Sequence, residues 1–136
     1  MTVVPQISSY LAIPSRNKIV FCKEGVDDLV LFDMGRDISL ILETDDEETD
    51  INTLCNKLFD QYAQSDLLGK YLALYNIGIL FEPQLKLNVR NLLENYSKDK
   101  CLIIISDAEI ENDTFWFFGK ESGISVSLKG LSYIVI

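Results

Sequence analysis

Residues 88–107, NVRNLLENYSKDKCLIIISD, decide the fold. Asn88 can cap a helix, and Val89, Leu92, Leu93 and Tyr96 recur at the spacing that lines one helix face with apolar groups. The run that follows, Cys101 to Ile105, is apolar at every position. A strand with one wet face alternates in polarity, whereas an unbroken apolar strand is covered on both faces. A helix leading into such a strand implies a crossover connection and a largely parallel sheet.

Upstream of this stretch the same alternation repeats. Lys18 to Cys22 (KIVFC) and Ile38 to Leu42 read as strands, and Leu29 to Phe32 is a short apolar run of either state. Thr2 to Ile13 suits a short first helix, closed by the turn residues Pro14 to Asn17. Ile51, Leu54, Leu58, Phe59 and Tyr62 form one apolar stripe and predict a second helix, which Thr49 or Asp50 would cap. Tyr71 to Leu80 reads as a strand interrupted by Gly78 and stopped by Pro83. Past Ser106 and Asp107 the text changes character. Phe115 to Phe118, Ile124 to Leu128 and Leu131 to Ile136 are short strand-like runs separated by glycines, expected as antiparallel edge strands. The expectation is a single α/β domain over residues 1–136. It would be a small three-layer sandwich with a mostly parallel sheet and antiparallel C-terminal strands.

Composition narrows the function classes. The 136 residues carry 12 Lys and Arg against 21 Asp and Glu, a net charge of −9, with 48 % apolar residues and a mean hydropathy of +0.14. Such a surface repels phosphate backbones, so direct nucleic-acid binding is disfavoured and basic protein surfaces are favoured. No apolar run reaches the roughly 18 residues of a membrane span, and Met1 to Tyr10 lacks the pattern of a signal peptide. A cytoplasmic location is expected. Cys22, Cys55 and Cys101 are widely spaced without a CxxC pair, which fits reduced, buried thiols. Histidine is absent, which removes the usual general base and the commonest transition-metal ligand.

Strand–loop–helix text invites a search for a phosphate-binding loop, whose glycines open backbone amides to the phosphates while a lysine neutralises them. Gly69-Lys70 has Gln64 in place of the first glycine and Tyr71 after the lysine. Gly119-Lys120 has Thr114 and Glu121 at the same places. The loop after the first strand, Lys23 to Asp28, carries Asp27 and Asp28, which would repel a triphosphate. No GxSxG elbow occurs. The run Asp45, Asp46, Glu47, Glu48 and Asp50 lacks the spacing and turn glycine of a calcium loop and reads as a solvated acidic segment. Asp107 and Glu109 follow a strand's carboxyl end, where α/β proteins place ligands. Together with the acidic run they would carry a metal-dependent reaction, if one exists. No catalytic, cofactor or metal residue is assigned. Phe115, Trp116, Phe117 and Phe118 stand four aromatics in a row, read first as core and second as a protein-binding patch.

From Tyr75 the text runs YNIGILFEPQLKLNVRNLLENYSKDKCLIIISD. Ile79-Leu80-Phe81-Glu82-Pro83, Leu85-Lys86-Leu87, Leu92-Leu93, Ser97 and the strand Leu102 to Ile105 resemble the small P-loop ATPase component (BrxF type) of BREX phage-defence systems. The resemblance implies a P-loop-NTPase-like sheet. Tyr75 and Gly78 stand where the family has its Walker B acids, and Lys23 to Asp28 replaces its Gly-rich loop. It therefore implies a degenerate member without a functional P-loop, and no active-site residue carries over.

These readings converge on a non-catalytic, pseudo-ATPase-like interaction subunit of a prokaryotic antiviral defence system, without cofactor, docking on a larger protein partner. The rival is an acidic immunity protein, inhibitor or DNA mimic that binds a basic partner. Partner-binding residues are expected in the aromatic run Phe115, Trp116, Phe117 and Phe118 and in the acidic run Asp45, Asp46, Glu47 and Glu48. Self-association is left open.

Overall fold

A computed structural model describes residues 7, 9–23, 30–36, 64–66, 69–81, 88–98, 100–117 and 119–136. The expected strand Ile38 to Leu42, the expected helix around Ile51 to Tyr62, the acidic run with Asp45, Asp46, Glu47 and Glu48, and Cys55 and Phe118 lie outside these residues.

The main sheet is built from β1 (Lys18–Cys22), β2 (Leu31–Asp33), β3 (Gln64–Asp66), β4 (Gly69–Tyr75), β5 (Cys101–Ile105) and β9 (Ile134–Val135). The order is β2-β4-β5-β1-β9, all parallel, with β3 added antiparallel to the start of β4. β1 and β5 occupy the spans their apolar runs predict and pair in register from Lys18 opposite Cys101 to Cys22 opposite Ile105. Successive residues of these strands feed two separate cores. Ile19, Phe21, Leu72, Leu74, Leu102 and Ile104 belong to one. Val20, Cys22, Tyr71, Ala73, Cys101 and Ile103 join Ile7 and Tyr10 in the other. Burial on both faces is the reason for the unbroken apolar text.

Helix α1 (Val89–Tyr96) starts where Asn88 predicts, its side-chain oxygen accepting from the Asn91 amide at 3.1 Å. Such a cap contributes about 1 kcal/mol. Leu92, Leu93 and Tyr96 are buried against the first core. Arg90 donates from Nη1 to the Ser127 carbonyl and from Nη2 to the Lys129 carbonyl, both at 2.8 Å, so the helix is also tied to the C-terminal strands.

Three expectations are corrected. The run Tyr71 to Leu80 is not one strand. β4 ends at Tyr75, Asn76 turns the backbone with φ 53°, and Ile77–Phe81 forms a 3₁₀ helix. Asparagine visits this left-handed geometry more readily than most residues, and here its side chain is held from a distant segment: Asn76 Nδ2 donates to Asp33 Oδ1 at 2.7 Å. Of the three C-terminal runs only the last adds an edge strand to the main sheet, and it does so in parallel rather than antiparallel. β6 (Ala108–Glu111), β7 (Thr114–Phe117) and β8 (Ser125–Ser127) make their own antiparallel sheet, in the order β6-β7-β8. The last strand, β9, joins the main sheet beside β1 in parallel, held further by the Ile136 amide donating to the Phe21 carbonyl at 2.9 Å. Finally, Glu109, expected with Asp107 at the ligand end of the main sheet, lies instead on a strand of its own, β6.

A tight hairpin joins β6 to β7. Asn112 and Asp113 both have positive φ, 53° and 56°, between the facing residues Glu111 and Thr114. That is the two-residue turn whose twist suits paired strands, and Asn and Asp adopt it readily.

Candidate functional site

A cleft of about 410 Å³ opens at the carboxyl ends of β1, β4 and β5. Its position follows from the sheet order. From β1 the chain proceeds to β2, beyond β5 and β4; from β5 it ends up at β9, beyond β1. Sequence order thus reverses between neighbouring β1 and β5, and such reversals leave a crevice outside the strand ends.

Each strand contributes the residues just past its end. β1 supplies exposed Lys23, β4 supplies Tyr75, Asn76, Ile77 and Gly78, and β5 supplies Ile105, Ser106 and exposed Asp107. Phe117 of β7 closes the apolar side, near enough to Gly78 that a Cβ there would stand 3.4 Å from its ring. The cleft therefore offers one ammonium, one carboxylate, two hydroxyls and an amide around an apolar wall. The Ser106 amide faces away from this duty, donating to the Cys22 carbonyl at 2.9 Å and locking the exits of β1 and β5 together.

A second knot fixes the rim. Asp33 Oδ1 accepts from the Arg36 amide at 2.9 Å as well as from Asn76, and the Gly35 amide donates to the Asn76 carbonyl at 2.9 Å. The Arg36 amide, then the Asn76 side chain, stabilises the Asp33 carboxylate and holds its pKa below the ordinary value. Gly35 admits the contact, because a Cβ would fall 2.5 Å from Asn76 Nδ2. Neither Asp33 nor Asn76 carried a motif in the sequence.

The sequence-singled residues scatter. Asp107 reaches the cleft, while Glu109 lies exposed on β6. Among the described residues no group of three His, Cys, Asp or Glu side chains could hold a metal ion. Gly69 and Lys70 open β4 opposite β3, and Gly119-Lys120 follows β7. Phe115 and Phe117 turn inward, 3 % and 8 % exposed, where Phe81 stacks on Phe117 with ring centroids 4.8 Å apart. Both belong to the first core. Trp116 alone of the three described aromatics points the other way. Cys22 and Cys101 are buried and unpaired, and burial pushes their thiols up to about 11 and about 12. Among the described residues no helix is long and apolar enough to cross a membrane.

Compared with models of known protein families, with curated proteins and with solved structures, the chain matches none.

Proposed function

We propose that this chain is a non-catalytic, pseudo-ATPase-like interaction subunit of a prokaryotic phage-defence system, a P-loop-NTPase-like sandwich whose nucleotide site has been lost. The observation that carries the reading is the mismatch between the cleft's place and its chemistry. It sits at the carboxyl ends of β1, β4 and β5, where an α/β sheet receives a ligand. A triphosphate needs a glycine-lined turn with open amides, a lysine and a metal-holding acid. Among the described residues the lining instead presents Lys23 as its one cation, Tyr75 and Gly78 at the end of β4, and the carboxylate of Asp107. Asp27 and Asp28 add further negative charge to the sequence after β1. A reversal-point cleft whose sequence offers no glycine-lined lysine loop, and whose described lining pairs a single ammonium with a carboxylate, is suited to binding a protein rather than turning over a nucleotide.

Calorimetric titration with ATP and Mg²⁺ tests this directly: no saturable heat is expected, and micromolar binding overturns the reading. A pull-down from the source cell with Asp45, Asp46, Glu47 and Glu48 replaced by Lys separates the rival. Partner capture that survives the reversal fits a defence subunit, whereas its loss identifies an inhibitor of a basic target.

A further inference from the structure

The small sheet has two unlike faces. Its inward residues, Ala108, Phe115, Phe117 and Val126, belong to the first core. The register places Glu109 opposite Trp116, and Trp116 opposite Ser125, on the other face. Trp116 is half-buried and belongs to neither core. Its indole therefore lies on an otherwise polar surface, flanked by a carboxylate and a hydroxyl.

This surface already handles a cation. Lys120 is ion-paired with Glu111, the next outward residue of β6, and both side chains are about half exposed. Glu109 adds its own attraction for the Lys120 ammonium. The Glu109 carboxylate lies over Gly119, with Oε1 3.4 Å from where a Cβ would stand. Among the described residues the Glu109 carboxylate makes no hydrogen bond and no close ion pair, only this longer-range attraction to Lys120. A carboxylate beside an aromatic face suits a planar guanidinium, which stacks on the ring and pairs with the acid at once. The net charge of −9 steers basic surfaces toward it.

We infer that the outer face of β6, β7 and β8 docks an arginine-bearing segment of a partner protein, with the guanidinium on the Trp116 indole and paired to Glu109. This rests on the interaction-subunit reading and supplies the chemistry of its partner.

Trp116 is the chain's single tryptophan, so its emission reports this face alone. The whole chain is titrated with the capped pentapeptide acetyl-Gly-Arg-Gly-Arg-Gly-amide, with citrulline in place of arginine as the neutral control. The arginine peptide is expected to shift and quench the emission, and the citrulline peptide to leave it unchanged. Glu109→Gln is expected to weaken binding about three-fold, and Trp116→Leu, followed by calorimetry, about five-fold. An emission that stays constant with millimolar arginine peptide overturns the inference, as does equal affinity in Glu109→Gln. The two readings fail separately. Saturable MgATP binding removes the pseudo-ATPase reading without moving the indole, and an indole indifferent to arginine removes the docking face while MgATP is still refused.

Discussion

In the parallel sheet β5 holds Cys101, Leu102, Ile103 and Ile104 at 2 % exposure or less, because side chains from both of its faces enter a core. In the antiparallel sheet β7 alternates: Phe115 and Phe117 are buried, while Thr114 and Trp116 are not. The chemistry of the two runs is similar, since both are dominated by large apolar groups. What separates them is how many faces are covered. A strand covered twice has no side chain left for a partner. A strand covered once keeps every second residue for other uses, and here one of those residues is a tryptophan.

Phe115 lies between Phe21 and Phe81, with ring centroids at 5.3 and 6.2 Å, and Phe115→Ala is expected to cost about 3–5 kcal/mol in urea unfolding. Trp116→Ala, one residue along, is expected to cost under about 1 kcal/mol. Equal losses at the two positions would mean that both faces of β7 are structurally engaged.

The rim of the main sheet comes next. Gly35→Ala forces a Cβ into the Asn76 amide, displacing the bond to Asp33, and is expected to destabilise by about 1–3 kcal/mol. A neutral result would show that Asn76 swings away freely, and that the cleft's edge is softer than the strands beneath it.

A smaller effect joins the hairpin turn to the chain's end. The Tyr133 hydroxyl donates to Asp113 Oδ1 at 2.7 Å, which, with partial burial, pushes its pKa up to about 12. The folded value lies above the ordinary 10.0, so the contribution is complete below pH 10 and fades as pH rises toward 12. Tyr133→Phe should cost about 1 kcal/mol at neutral pH, allowing for solvent exposure. The gap between the two proteins should close with rising alkalinity, and the titrating thiols of Cys22 and Cys101 cancel in the difference. A gap that persists unchanged at high pH would assign the stabilisation to packing rather than to the hydrogen bond.

Smallest of all is the ion pair of Arg16 with Glu94 at 3.0 Å, which bridges the approach to β1 and helix α1. The Arg16 side chain is 77 % exposed, so Arg16→Ala should cost under about 0.5 kcal/mol and less in high salt. A larger, salt-insensitive loss would point to packing of the Arg16 stem.

How much of this was legible depends on whether a feature is local. The bounds of β1 and β5 and the cap at Asn88 were readable residue by residue, because double burial and helix capping both leave their mark on consecutive positions. The β6–β7 hairpin is marked just as locally, by Asn112-Asp113 between the alternating residues of β6 and the aromatic run. The break at Asn76 was hidden, since Tyr71 to Leu80 is apolar on both sides of it and the bond that secures the turn comes from Asp33.

Sequence alone determined the α/β class, the acidic surface and the lack of a glycine-lined lysine loop, since these reside in composition, period and motif. Tertiary structure alone decided that Lys23, Asn76, Ser106 and Asp107 meet around one cleft, that β9 returns beside β1, and that Trp116 faces outward while its neighbours do not. Alternation tells which residues share a face, but only the packing of distant segments tells which face is left uncovered.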